Sequence, residues 1–102
     1  MGPETFDFGM ALAALKDGKM VTRAGWNGKG MFIFQTVGNT VAKDFIPKFA
    51  SLPEAVKTFL ATKDADVVFN SSITMYNAQG EMQPGWLASQ SDMLATDWSV
   101  VE

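Results

Sequence analysis

Apolar positions along this chain repeat at helical spacing in two places and run together at strand length in several others. Met10, Ala11, Ala14 and Leu15 recur at i, i+1, i+4, i+5, with Leu12 beside them. Asp7 ahead of this stripe is a good N-cap and Gly18 behind it a good stop. The spacing therefore predicts a short helix over Phe8 to Asp17. Lys19 to Thr22 reads as a strand, Gly25 to Gly30 as a Gly-rich turn, and Met31-Phe32-Ile33-Phe34 as a buried strand. Thr36 to Lys48 mixes turn and apolar residues and predicts no single element. Pro53 to Lys63 reads as a second helix, opened by Pro53, with Val56, Phe59 and Leu60 on one face. Val67-Val68-Phe69 and Ile73-Thr74-Met75-Tyr76 read as strands. Asn77-Ala78-Gln79-Gly80 reads as a hairpin turn, and Glu81-Met82 as a return strand that Pro84-Gly85 ends. Ser89 to Ala95 reads as a short helix and Trp98 to Val101 as a last strand. Helices interrupting short, turn-linked strands predict an α+β domain: a small, largely antiparallel β-sheet with two or three short helices packed on it.

Composition narrows what such a domain can do. At 102 residues the chain reads as one domain, residues 1–102, with a modest core that oligomerisation would help. It has no Cys and no His, which removes disulfides, the thiolate nucleophile, the commonest general base and the commonest metal ligand. No catalytic residue, cofactor or metal is predicted. Net charge is −3, and all eight Lys and Arg residues lie at or before Lys63. Six acids and no cation follow, a poor footprint for a nucleic-acid polymer. No stretch is apolar enough to span a membrane, and no charged-then-apolar leader is visible. Met1-Gly2-Pro3 reads as in part a cloning remnant.

Two polar segments hold every Trp. The first is Arg23-Ala24-Gly25-Trp26-Asn27-Gly28-Lys29-Gly30-Met31. Gly28 and Gly30 suit positive φ and close backbone approach to a ligand, and successive N–H groups in such a turn cradle anions. Arg23 and Lys29 add positive charge, Arg23 with the capacity for a two-bond grip on a phosphate. Trp26 suits stacking, and Asn27 suits reading a polar edge. The competing role is a tight turn with Trp26 in the core. The second segment is Pro84-Gly85-Trp86 to Met93, followed by Asp97-Trp98. Ser89 and Asp92 fit a capping box, and the same helix start would offer N–H groups and the Ser89 and Gln90 side chains to an anion. Asp97 and Trp98 read as structural. Met75 and Tyr76, ahead of the hairpin turn, are candidates for lining a pocket. Asp92 and Asp97 as paired carboxylates would be the simplest hydrolytic device, though nothing in the spacing makes them converge.

These segments, in this order, resemble the Thoeris anti-defence proteins of the second type, a phage family long known as a domain of unknown function. The resemblance rests on Phe8-Gly-Met-Ala-Leu-Ala-Ala-Leu-Lys-Asp-Gly-Lys19, on Arg23 to Met31, on Trp86-Leu-Ala-Ser-Gln-Ser-Asp-Met-Leu-Ala95 and on Asp97-Trp98. It covers both ends of the chain, and residues 38–66 look like a variable insertion. It implies a sponge acting in the host cytoplasm. Such a protein binds and sequesters the cyclic ADP-ribose isomers that TIR-domain enzymes make as an alarm, and does not degrade them. It implies a homotetramer with pockets between subunits, and some members bind cyclic dinucleotides at separate sites. The ligand contacts implied here are Arg23, Trp26, Asn27, Gly28, Lys29, Met31, Met75, Trp86, Ser89, Gln90 and Asp92. The alternatives are an enzyme that cleaves a nucleotide signal, or a phage structural protein using the Trp segments for assembly.

Overall fold

A computed structural model describes residues 4–102, so Met1-Gly2-Pro3 lies outside the described residues. The chain divides into two compact units. One comprises residues up to Thr36 and from Ser72 onward, and the other comprises Val37–Ser71.

The first unit is an antiparallel sheet with two helices. Its elements are α1 (Phe8–Lys16), β1 (Val21–Arg23), β2 (Phe32–Thr36), β5 (Ser72–Tyr76), β6 (Met82–Pro84), α3 (Gln90–Leu94) and β7 (Trp98–Val100). The strand order is β6-β5-β2-β1-β7. Asp7 caps α1 by accepting from the Met10 amide at 2.9 Å, and Gly18, at φ +84°, ends it. Ala11 and Leu15 of α1 pack on Val21, Ile33, Met75 and Trp98, and these six form the buried core. Val21 pairs with Ile33 and Val100, and Ile33 pairs with Met75, so the pleat delivers one residue from each central strand to the same face. Leu15, Val21, Ile33 and Trp98 are almost wholly removed from water. At about 1.5–3 kcal/mol for each fully buried large side chain, they dominate the stability of this unit.

The second unit contains β3 (Asn39–Val41), a 3-10 turn (Ile46–Lys48), α2 (Glu54–Ala61) and β4 (Val67–Phe69). β3 and β4 form a separate two-stranded antiparallel ribbon, so Val67–Phe69 is not part of the main sheet. Val41 and Ile46 are its buried hydrophobic residues. Phe49 stacks on Phe69 at 5.3 Å. α2 begins one residue after Pro53, which is its N-cap, and buries none of its residues. The expected common face is therefore not a core face: Val56 and Phe59 are exposed and Leu60 is half-buried.

Candidate functional site

Strand alternation sets the geometry at the joint between the two Trp segments. Val21 faces the core, so Arg23, two residues on, points to the same side and pairs in register with Trp98. A guanidinium there needs carboxylates. Arg23 Nη1 donates to Asp92 Oδ1 at 2.8 Å, and Arg23 Nε donates to Asp97 Oδ1 at 2.9 Å. Asp97 Oδ2 accepts from the Gly25 amide at 2.7 Å, which ties down the start of the Gly-rich loop. A Cβ at Gly25 would lie 3.0 Å from Asp97 Oδ2 and 3.1 Å from Arg23 Nη2, so a side chain there would press on the ion pair.

Asp92 is the hub. Its Oδ1 also accepts from Trp26 Nε1 at 3.0 Å, and its Oδ2 accepts from the Ser89 amide at 3.0 Å and the Ser89 hydroxyl at 2.9 Å. The Asp92 amide donates to Ser89 Oγ at 3.1 Å, which completes the capping box. Four donors occupy the four lone-pair sites a carboxylate offers. Burial pushes the Asp92 carboxyl upward, but the bonds from Trp26, the Ser89 amide, Arg23 and the Ser89 hydroxyl outweigh it. Together they hold the group down at about 2. The Arg23 bond, against a smaller burial effect, likewise lowers Asp97.

The three indoles pack on one another. Trp98 is fully buried, and its Nε1 donates to the Asp92 carbonyl at 2.9 Å. Trp26 meets it edge-on at 5.3 Å between ring centroids, Trp86 meets it at 6.3 Å, and Trp26 and Trp86 lie 6.1 Å apart. Trp26 and Trp86 stay half-buried, so each keeps some ring surface outside the cluster.

The structure therefore brings Arg23, Trp26, Trp86, Ser89 and Asp92 together and spreads out the others. Gly28 does not have positive φ, whereas Gly30 does, at +75°. Gly28 is small for a different reason: a Cβ there would run into the Met31 sulfur and the Ala78 methyl, so this glycine packs the loop against the hairpin turn. Met31 is half-buried, and its carbonyl accepts from the Thr22 hydroxyl. Met75 sits in the core. Asn27, Lys29 and Gln90 are exposed and have no side-chain partner among the described residues. α3 spans five residues, and its cap is already made by Ser89. Asp97 and Asn77 carry more of the local order than their residue types suggested. The buried Asn77 side chain accepts from the amides of Gln79 and Glu81 and so shapes the hairpin turn against which Gly28 packs. The signal for Asp97 was Arg23 itself, since a core-facing Arg needs anions and the second Trp segment holds two.

Two comparisons with known proteins bear on this arrangement. A family model described as the Thoeris anti-defense 2-like domain matches residues 6–101. Thoeris anti-defense 2 of Bacillus phage SP01 is 36% identical over 94 residues, which cover 92% of each chain.

Proposed function

This chain belongs to the Thoeris anti-defense 2-like family, and from that premise we propose that it is a phage anti-defence protein that binds and sequesters a cyclic ADP-ribose isomer without degrading it. The observation that carries the reading is the hub at Asp92. It fixes the loop after β1 to the turn before α3 through Arg23, Trp26 and Ser89, while the neighbouring Asn27, Lys29 and Gln90 keep their polar groups free. Fixed aromatic walls beside unspent donors suit an adenine and two riboses. Arg23 is neutralised by two carboxylates, so Lys29 is the cation available to the diphosphate. Asp92, Ser89 and Arg23 hold this arrangement in place, and Trp26 and Trp86 wall it.

The protein assembles as a homotetramer that encloses the ligand between subunits in the host cytoplasm. Leu87 and Leu94 support this, being 87% and 81% exposed beside Trp86 and on α3. Cyclic dinucleotides are a second ligand class, bound elsewhere.

A cleaving enzyme is the competing reading, because Asp92 and Asp97 do converge, on Arg23. General acid catalysis near neutrality needs one carboxyl of a pair raised and protonated. Both are lowered here, which favours binding over cleavage.

Calorimetry with a panel of cyclic ADP-ribose isomers and cyclic dinucleotides tests the proposal. At least one ADP-ribose isomer should bind with nanomolar affinity, about −12 kcal/mol, and heating the complex should return it intact. No binding by any isomer, or recovery of breakdown products, overturns it.

A further inference from the structure

The second unit contains a cavity of about 340 Å³ that the function proposed above does not use. Lys43 and Asp44, Ile46 and Pro47 from the 3-10 turn, and Lys57, Leu60 and Ala61 from α2 line it, with Asp64 and Ala65 beyond the helix. Its size falls in the range of small-molecule sites, roughly 300–1,000 Å³. Its apolar part is built from Ile46, Pro47, Leu60 and two alanines.

Lys57 is the unusual wall residue. Its side chain is only 14% exposed, whereas lysines are rarely withdrawn from water without a close anion. Its ammonium donates to the Pro47 carbonyl at 3.1 Å, and its nearest carboxylate, Glu54, lies 3.5 Å away on an 89% exposed side chain. A three-proton donor held by one carbonyl and one long contact to a solvated carboxylate keeps a third proton for a further acceptor. The second wall cation, Lys43, is already paired with Asp64 at 3.0 Å. The wall carries two cations and two anions, so its net charge is zero and it disfavours a dianion.

We propose that this cavity is a second binding site, for a small monocarboxylate with an apolar body. The carboxylate meets Lys57 and the body lies on Ile46, Leu60 and Ala61. The proposal does not depend on the ADP-ribose reading, since every residue involved lies between 43 and 65.

Titration of the full chain with hexanoate, followed by amide NMR, tests it. Saturable shifts should be confined to residues 43–47 and 57–65. Lys57→Met should weaken binding about tenfold or more, the loss expected for a charge-assisted bond, and Lys57→Arg should retain most of it. Ala61→Met, which fills the cavity from the helix side, should abolish the shifts. Hexanol and inorganic phosphate should each bind at least about tenfold more weakly than hexanoate, by the same reasoning. Shifts that do not saturate, undiminished binding by Ala61→Met or Lys57→Met, or phosphate binding as well as hexanoate would each overturn the proposal.

Discussion

Asp92 and Asp64 each face a cation at almost the same distance, and their surroundings give the two pairs different weight. Asp92 Oδ1 lies 2.8 Å from Arg23, and Asp64 Oδ1 lies 3.0 Å from Lys43. The Asp92 and Arg23 side chains are 11% and 16% exposed, whereas those of Asp64 and Lys43 are 84% and 50% exposed. Asp92 also takes bonds from Trp26 and Ser89, so it joins the two Trp segments. Asp64 joins a lysine to a loop in water, where such pairs are worth about 0–1 kcal/mol. The same contrast runs through the two units. The first buries six apolar residues, Trp98 among them, and uses its polar network to fix one arrangement of the loops. The second has two buried apolar residues and relies on stacked Phe rings and exposed ion pairs. Distance alone does not rank interactions; burial and the number of groups left stranded by a break do.

The largest test of this contrast is at the aromatic centre of the first unit. Trp98→Ala should cost about 3–5 kcal/mol, since it removes a fully buried ring and leaves the Asp92 carbonyl without its indole donor. Phe59→Ala, on exposed α2, should stay within about 0.5 kcal/mol. Urea unfolding followed by tryptophan fluorescence and by circular dichroism measures both. Equal losses would mean that the second unit has a core of its own.

Asp92→Ala comes next, at about 2–3 kcal/mol, because Arg23 keeps only Asp97 while Trp26 Nε1 and the Ser89 amide lose their acceptor. The loop and α3 should separate first, seen as faster amide exchange at residues 25–30 and 89–93 with the α1 amides still protected. Uniform acceleration across the first unit would show that Asp92 supports the whole core and not the joint. The pH dependence gives the next effect down. A carboxyl depressed from 3.8 to about 2 stabilises the fold above its unfolded value and loses that contribution as pH falls from about 4 towards 2. The loss is about 2 kcal/mol, and the lowered Asp97 adds to it in the same direction. Thermal melts of Asp92→Asn should show a shallower decline over that window, and an unchanged decline would move the titration to other acids.

What the sequence made legible follows the same divide. In the first unit, helix α1, its Asp7 cap and Gly18 stop, the β2 strand and the Ser89–Asp92 box were all readable, because each rests on neighbours in sequence. The Trp segments stood out by composition. Their joint did not, because the Arg23–Asp92 and Gly25–Asp97 bonds span about seventy residues and depend on which face of β1 points inward. Gly28 was read for its backbone freedom, yet its size matters through Met31 and Ala78, a long-range contact that no turn rule contains. In the second unit α2 was readable from Pro53 and β4 from its apolar run, but the 3-10 turn and β3 were not, since each spans three residues with one buried and sets no period.

The smallest prediction sharpens the comparison from the weak side. Asp64 is the non-glycine residue with positive φ among those described, at +48°, just past the end of α2. Aspartate tolerates this region better than most residues but still pays steric strain that glycine avoids. Asp64→Gly removes that strain and also removes the Lys43 partner, two effects of opposite sign and each below about 1 kcal/mol. The net change should lie within about 0.5 kcal/mol, while Asp64→Ala, which loses the pair and keeps the strain, should be the less stable of the two. Thermal melts of both variants read the difference directly. If Asp64→Gly instead costs as much as Asp92→Ala, the exposed pair is as integral as the buried one, and solvent exposure is not what separates the two units.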